Sequence, residues 1–341
     1  MKILILYTHN KSFLASFFYE VSLGLIERGY EVKVFSLKTR SSAKSVPEIV
    51  ELSAKGNYFS NSLKIFRVIK AYQPSVIISN FSYVNPALVS GKLLGVKQNI
   101  VWFHTLTAQL EASRKQLFIK SLFLNLASKI IVNSELLQQD LIHNYRQNAD
   151  KITPVPFWAS TRKKNTTKED KFGKPIKIGC PGRLEEVKNQ RLLIESLSLL
   201  DKQGAIKLFF AGNGSGLSVL KKIVDNYGLK KNVEFLGVLT ILEMESFYKD
   251  MDLVVLPSKF EAFGLVFIEA LSLNCPVIVS NKFGALAYIK DEEFLKKFTF
   301  DPNDSIELKD NVYKLSILSL IEDKTFIGKD NKILKKIKLR Y

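Results

Sequence analysis

At 341 residues the chain exceeds the roughly 250–300 residues at which a single core usually stops growing, which favours two domains over one. Its 46% hydrophobic and 24% charged residues are ordinary for a globular protein and exclude a low-complexity or disordered chain. The net charge of +17 comes from 19 basic against 9 acidic residues in 1–160 and 31 against 24 beyond, so no single tail explains it and anionic partners are expected.

In the first half, five short apolar runs read as strands: KILILY (2–7), EVKVFSL (31–37), SVIIS (75–79), NIVWF (99–103) and KIIVN (129–133). Between the first two, SFLASFFYEVSLGLIERG has helical spacing and stops at Gly29, a natural C-cap. Strand–helix alternation predicts right-handed crossovers and a parallel sheet covered on both faces. The segment SRKQLFIKSLFLNLASKIIV (113–132) begins as a basic, strongly apolar helix, with Arg114, Lys115 and Lys120 flanking Leu117, Phe118, Ile119, Leu122 and Phe123. Two readings stand: a helix lying on an anionic lipid leaflet, or a crossover helix on the sheet with its lysines in water.

Residues 161–175, TRKKNTTKEDKFGKP, break the pattern with six basic side chains, a glycine and a proline, and read as a polar linker. The alternation then restarts with IKIGC (176–180), AIKLFFAG (205–212), NVEFLG (232–237), LVVLP (253–257) and PVIVS (276–280). Thr240 and Glu243 have capping-box spacing, so a helix starts at Thr240. The division expected is a first Rossmann-like domain over 1–160, a linker over 161–175 and a second over 176–323. A basic C-terminal segment, 324–341, is left free to return to the first domain. Such halves bind ligands beyond the carboxyl ends of their strands.

Candidate chemistry falls at those strand ends. Glu261 follows LVVLP, and FGLVFIEALSL then reads as a helix starting near Phe263–Leu265, which aims free N–H groups and a positive dipole end at an anion. Gly264 permits close backbone approach. Glu261 and Glu269 suit vicinal hydroxyls of a sugar and a ribose; the alternative is two solvated helix glutamates. Arg183 and Lys188, in PGRLEEVKNQ (181–190), have the chemistry of a diphosphate clamp, or of an ordinary basic loop. FFAGNGSG (209–216) lacks the GxGxxG spacing, and the first turn, YTHNKSF, has no glycine, which argues against a nicotinamide enzyme. DMD (250–252) has the form of a manganese motif but reads as a local turn.

GRLEEVKNQRLLIESL, AGNGSG and the run from FLGVLT to PVIVSN, taken together in order, resemble the C-terminal half of family 4 retaining glycosyltransferases of GT-B fold. The resemblance runs from about residue 176 to 304, with Glu261 and Glu269 forming an E-x7-E pattern. It implies an α/β fold of two Rossmann-like domains facing a central cleft, the first holding the acceptor and the second a UDP- or GDP-linked sugar. By this resemblance Arg183 and Lys188 hold the diphosphate and Glu261 contacts the donor sugar. Phe263, Gly264 and Leu265 offer their backbone to sugar and phosphate, Glu269 binds the ribose, and Gly212 with Leu236–Val238 lies near the base. His104, after NIVWF, takes the place of a histidine that contacts the donor sugar, and Ser134 that of a strand-end serine which also suits an N-cap. No metal and no separate cofactor is implied. The chain departs from the family at Asn10, Lys11, Ser12 and Phe13, where paired glycines are usual, and at Ala262.

The expected reaction is hexosyl transfer, with retention, from a nucleotide-sugar to a glycan or lipid-linked acceptor in surface polysaccharide or lipopolysaccharide synthesis. A catalytically silent GT-B scaffold is the alternative. Cys180 and Cys275 form no metal or disulfide framework, and no apolar run reaches the roughly 20 residues that span a bilayer. With an N-terminal apolar core too short for a signal peptide, the expected location is the cytoplasm, peripheral at an anionic membrane surface. Scattered basic residues without a recognisable motif argue against a nucleic-acid partner.

Overall fold

The computed structural model describes residues 1–10, 12–38, 47–110, 112–157, 175–200 and 205–312; of Leu200 only the backbone is described. All but Pro175 of the linker expected over 161–175, and the basic segment over 324–341, lie outside these residues. The chain divides into two compact units, Met1–Phe157 and Trp158–Tyr341.

The first unit is a seven-stranded parallel sheet in the order β3-β2-β1-β4-β5-β6-β7. Its strands are β1 (Lys2–Leu6), β2 (Glu31–Leu37), β3 (Val50–Ser53), β4 (Val76–Asn80), β5 (Gln98–Phe103), β6 (Lys129–Val132) and β7 (Ile152–Pro154), joined by α1 (Phe13–Glu27), α2 (Tyr58–Tyr72), α3 (Val84–Leu93), α4 (Arg114–Leu124) and α5 (Glu135–Tyr145). All five expected strands are present. Helix α1 opens on Ser12, whose Oγ accepts from the Ala15 N–H, and closes at Gly29 with φ of 82°. The glycine-free first loop thus needs no positive φ at Phe13, which is the first helical residue. On one face Leu4, Leu6, Phe35 and Leu37 bury against Ile65 and Ile69 of α2 and Ala87 of α3. On the other, Phe17 and Phe18 of α1 meet the Trp102 ring edge-on at centroid distances of 5.3 and 5.1 Å.

The second unit is a six-stranded parallel sheet in the order β10-β9-β8-β11-β12-β13. It comprises β8 (Ile176–Pro181), β9 (Ile206–Ala211), β10 (Val233–Gly237), β11 (Leu253–Leu256), β12 (Val277–Ser280) and β13 (Thr299–Phe300), with α6 (Gln190–Leu200), α7 (Leu217–Asn226), α8 (Ile241–Asp250), α9 (Leu265–Ser272) and α10 (Glu292–Phe298). Apolar residues of α6 and α7, among them Leu193, Leu197 and Val224, cover one face through Ile178, Leu208 and Phe210. On the opposite face Gly179 leaves room for Phe247 and Met251, since a Cβ there would stand 2.7 Å from each. The capping box is formed: Thr240 Oγ1 accepts from the Glu243 N–H at 3.4 Å and Glu243 Oε2 from the Thr240 N–H at 2.7 Å.

Because every strand is parallel, each sheet gathers all its carboxyl ends on one edge. Strand order reverses between β1 and β4 in the first unit and between β8 and β11 in the second, the two places where a doubly wound sheet opens a ligand crevice.

Candidate functional site

At the β8/β11 reversal two loops are tied together. The Lys259 N–H donates to the Val187 carbonyl at 2.8 Å, and Lys259 Nζ pairs with Glu186 at 3.1 Å. This brings Lys188, in the short helical turn after β8, onto Glu261, beyond β11: Lys188 Nζ donates to Glu261 Oε2, and the side chains are only 14% and 12% exposed. Glu261 is strapped in place by its own backbone, which donates to the Lys282 carbonyl and accepts from the Gly284 N–H. Arg183 stands in the same loop with its side chain 69% exposed, Nη1 donating to Glu185 Oε1 at 2.8 Å. Such an exposed pair contributes little and is readily exchanged for another anion.

Helix α9 starts at Leu265, within the window the sequence predicts. Gly264 sits at its N-cap with φ of 100°, and a Cβ there would stand 2.3 Å from Phe283 Cδ1. Glycine is therefore required twice over, for backbone conformation and for space. The N–H groups of Leu265 and Val266 precede the helical ladder and carry the positive end of the helix dipole. The Phe263 side chain is buried, and its carbonyl accepts from the Ala285 N–H at 3.0 Å. Glu269, one turn further, is not a solvated glutamate: its Oε2 accepts from the Tyr248 hydroxyl at 3.0 Å, and burial raises its carboxyl to about 6. Tyr248, in the last turn of α8, is a partner of Glu269 that the sequence reading missed; its only signal was a place on the buried face of that helix.

Along the same edge, Gly212 follows β9 and donates its N–H to the Gly237 carbonyl at 2.7 Å, which sets it beside Leu236 and the exposed Val238. A Cβ on Gly212 would lie 1.9 Å from the Gly182 oxygen, and one on Gly214 2.3 Å from the Leu184 oxygen. The glycine-rich turn thus lays its backbone directly on the loop that carries Arg183. Asp252 of DMD accepts from the Lys177 N–H at 2.9 Å, so that motif is a turn anchored to β8.

His104 lies in the first unit, beyond β5. Asn133 Nδ2 donates to the Val155 carbonyl, which turns Oδ1 toward the imidazole, so His104 Nδ1 donates to Asn133 Oδ1 at 2.8 Å. Burial lowers the imidazole to about 4 and keeps it neutral, and Nε2 is left as a buried acceptor without a partner in the structure. Phe81 stacks on its ring with centroids 4.7 Å apart, from a left-handed backbone conformation with φ of 48° that an aromatic residue rarely adopts. Ser134 caps α5, its Oγ accepting from the Leu137 N–H at 3.2 Å.

At α4 one of the two readings, a crossover helix with its lysines in water, fails at Lys120. Lys120 is not in water: its Nζ donates to Asn85 Oδ1 at 2.8 Å in a partly buried position, while Phe118, Ile119 and Leu122 are 64%, 43% and 52% exposed. The helix still buries Leu124 and leaves Arg114 and Lys115 exposed, so only Lys120 departs from the pattern of lysines in water. Among the described residues no helix is long and apolar enough to cross a membrane.

Comparison with known proteins agrees with this architecture. The family Glycosyltransferase Family 4 matches residues 14–160, and Glycosyl transferases group 1 matches 161–331. An uncharacterized glycosyltransferase of Methanocaldococcus jannaschii is 34% identical over 111 residues, 33% of this chain and 28% of that protein. The capsular polysaccharide biosynthesis glycosyltransferase CapM of Staphylococcus aureus is 28% identical over 201 residues, 55% of this chain and 52% of its own. The chain thus spans about half or less of these curated relatives. Among solved structures, Anabaena HepE in complex with UDP and glucose superposes with a TM-score of 0.72 at 17% identity, covering 99% of this chain and 98% of that one. The lipopolysaccharide outer core galactosyltransferase WaaB gives 0.70 at 16% identity, covering 99% and 95%. Two Rossmann-like units of GT-B type and both halves of the family pattern carry the same conclusion: the chain belongs to the group 1, family 4 glycosyltransferases.

Proposed function

We propose that this protein transfers a hexosyl group, with retention and without a metal ion, from a UDP- or GDP-sugar to a glycan or lipid-linked acceptor. The observation that carries the reading is the Lys188–Glu261 pair at the β8/β11 reversal, with Arg183 and the start of α9 on the same edge. In this reaction the acceptor oxygen bonds the anomeric carbon and the bond to the β-phosphate oxygen breaks. The acceptor proton passes to the departing diphosphate. Charge therefore develops on phosphate, and Arg183, Lys188 and the N–H groups of Leu265 and Val266 are the groups suited to stabilise it. Glu261 then takes the donor sugar hydroxyls, Glu269 the ribose, and Gly212 with Leu236–Val238 the base. One relative is named for capsular polysaccharide biosynthesis, one structural neighbour for the lipopolysaccharide outer core, and HepE is in complex with UDP, which supports a surface-glycan role, while other relatives are named D-inositol 3-phosphate glycosyltransferases.

The exposed Phe118, Ile119 and Leu122 on a helix that also carries Arg114 and Lys115 favour attachment to an anionic membrane surface, within reach of a lipid-linked acceptor. A silent GT-B scaffold is the alternative.

The deciding experiment is calorimetry against UDP, GDP, ADP and their sugar conjugates with EDTA present. Selective binding of one diphosphate, weakened tenfold or more in Arg183→Ala and Lys188→Ala, is expected, because a charge-assisted bond contributes roughly 1.5–3 kcal/mol. Binding unchanged in both variants overturns the site. No binding at all leaves the scaffold.

A further inference from the structure

The rings around His104 are not alike. Among the described residues four aromatic rings meet the imidazole: Phe18 edge-on at 6.0 Å between centroids, and Phe157, Trp102 and Phe81 stacked at 5.7, 6.5 and 4.7 Å. Phe18, Phe157 and Trp102 are 0%, 3% and 4% exposed, so none of them can turn away without opening the close-packed core. Phe81, the nearest of the four, is 52% exposed. His104 helps to line a cavity of about 280 Å³, yet its Nε2 is buried and does not reach that space. A route to Nε2 that leaves the core intact therefore runs past Phe81.

The closed arrangement stands against costs of its own. A φ of 48° strains any residue with a Cβ, and a bulky aromatic more than most. Asn80, immediately before Phe81, is 1% exposed, and neither atom of its amide has a partner among the described residues. Sealed polar groups of this kind oppose the seal. In its favour is the stack on His104, but half of the Phe81 ring is in solvent already. The neighbouring residues confine any movement. Asn80 is registered on Trp102 in the sheet, and the buried Tyr83 accepts the Leu37 N–H on its hydroxyl at 2.8 Å. That leaves Phe81 and Ser82, both exposed, as the segment that can turn.

We infer that Phe81 is a gate on His104. In the closed form described above it withholds Nε2. Turned outward, with its backbone out of the left-handed region, it opens Nε2 to a hydroxyl of the sugar being transferred. The inference rests on the glycosyl-transfer reading only for the identity of that hydroxyl.

The test needs no nucleotide. The full chain is treated with diethyl pyrocarbonate, which acylates a neutral imidazole nitrogen within its reach, and each histidine is followed by mass spectrometry of its peptides. An open form populated at roughly 0.1–10% slows His104 by about tenfold or more relative to the exposed His143 of α5. Phe81→Gly removes the ring and holds the same φ without strain. It is expected to raise the His104 rate about tenfold or more, equivalent to about 1.4 kcal/mol less work to open, with the rate at His9 unchanged. In the wild type the His104 rate is expected to stay flat in urea below the unfolding transition, because turning two residues exposes little surface. Three results overturn the gate: a wild-type His104 as reactive as His143, a His104 rate unchanged in Phe81→Gly, or a wild-type rate that climbs with urea at the slope of global unfolding. Should Phe81→Gly loosen the unit and speed His9 equally, the urea series on the wild type decides alone. The calorimetry above tests the donor reading on its own, so the two failures are told apart.

Discussion

Lys188 and Glu261 are 73 residues apart in the chain, yet they form a nearly buried ion pair across the reversal of the second sheet. Removing one member of such a pair strands the other, which costs about 3–5 kcal/mol at buried sites. Lys188→Met is therefore expected to lower stability by about 3 kcal/mol, and Glu261→Gln in the same chain to recover much of that loss. Urea denaturation of both single variants and the double measures the coupling. Additive losses would show that the two side chains act independently. Diphosphate affinity is not expected to recover in the double variant, because the cation is still missing.

Gly264→Ala is a backbone test of the anion site. A residue at φ of 100° with its Cβ 2.3 Å from the Phe283 ring is strained in two ways, and a loss of about 1–3 kcal/mol follows from the conformation alone. Trimming the ring in Gly264→Ala/Phe283→Ala relieves the clash and leaves the φ strain. Denaturant melts are expected to place the double variant no higher than Phe283→Ala alone. A double variant more stable than Phe283→Ala contradicts the φ argument.

Glu269 sets a pH dependence. Its folded carboxyl, raised by burial to about 6 from 4.5, holds its proton longer than the unfolded chain does. The contribution to stability is complete below pH 4.5, falls as pH rises from 4.5 to 6, and is constant above, about 2 kcal/mol in all. Glu269→Gln is expected to flatten that slope in stability measured from pH 4 to 7. Tyr248→Phe removes a hydrogen bond that favours the carboxylate and is expected to extend the slope to higher pH.

His104 works with the opposite sign. Lowered by burial to about 4 from 6.5, it is charged first in the unfolded chain, so stability falls as pH drops from 6.5 toward 4, by roughly 3 kcal/mol. Ring nitrogen NMR is expected to show a neutral imidazole, protonated at Nδ1, throughout pH 5.5–8. A ring that titrates near 6.5 removes this account.

For the membrane surface, the outward Phe118, Ile119 and Leu122 give a direct readout. Co-sedimentation with anionic vesicles is expected for the wild type, reduced by high salt, and lost in Phe118→Asp/Leu122→Asp. Absence from both anionic and neutral pellets retires the proposal.

The long apolar runs made the strands legible: EVKVFSL is β2 residue for residue, and the capping chemistry at Ser134, Gly29 and Thr240 located helix ends. Three of the four edge strands were not legible, β10 being the exception. β3, β7 and β13 have four, three and two residues, too few for a period to emerge. Among candidate residues, Arg183, Lys188, Glu261 and Gly264 were singled out from their places after strands. Their partners were not, since the Lys188–Glu261 and Glu269–Tyr248 contacts depend on which strands and helices become neighbours. The place of Lys120 was illegible for the same reason: a lysine in an amphipathic run can be read as solvated until α3 places Asn85 beside it.

The reversal at β8 also shapes how the chain must be made. β8, β9 and β10 leave the ribosome in order and pair in order, but the other flank of β8 waits for β11, whose Leu253 and Val254 register on Ile178 and Gly179. Until that insertion a buried, apolar strand stands as a bare edge, the state most prone to pair with another nascent chain. The pairing that covers it is also the one that brings Glu261 to Lys188, so protection of the β8 edge and formation of that ion pair depend on the same placement of β11.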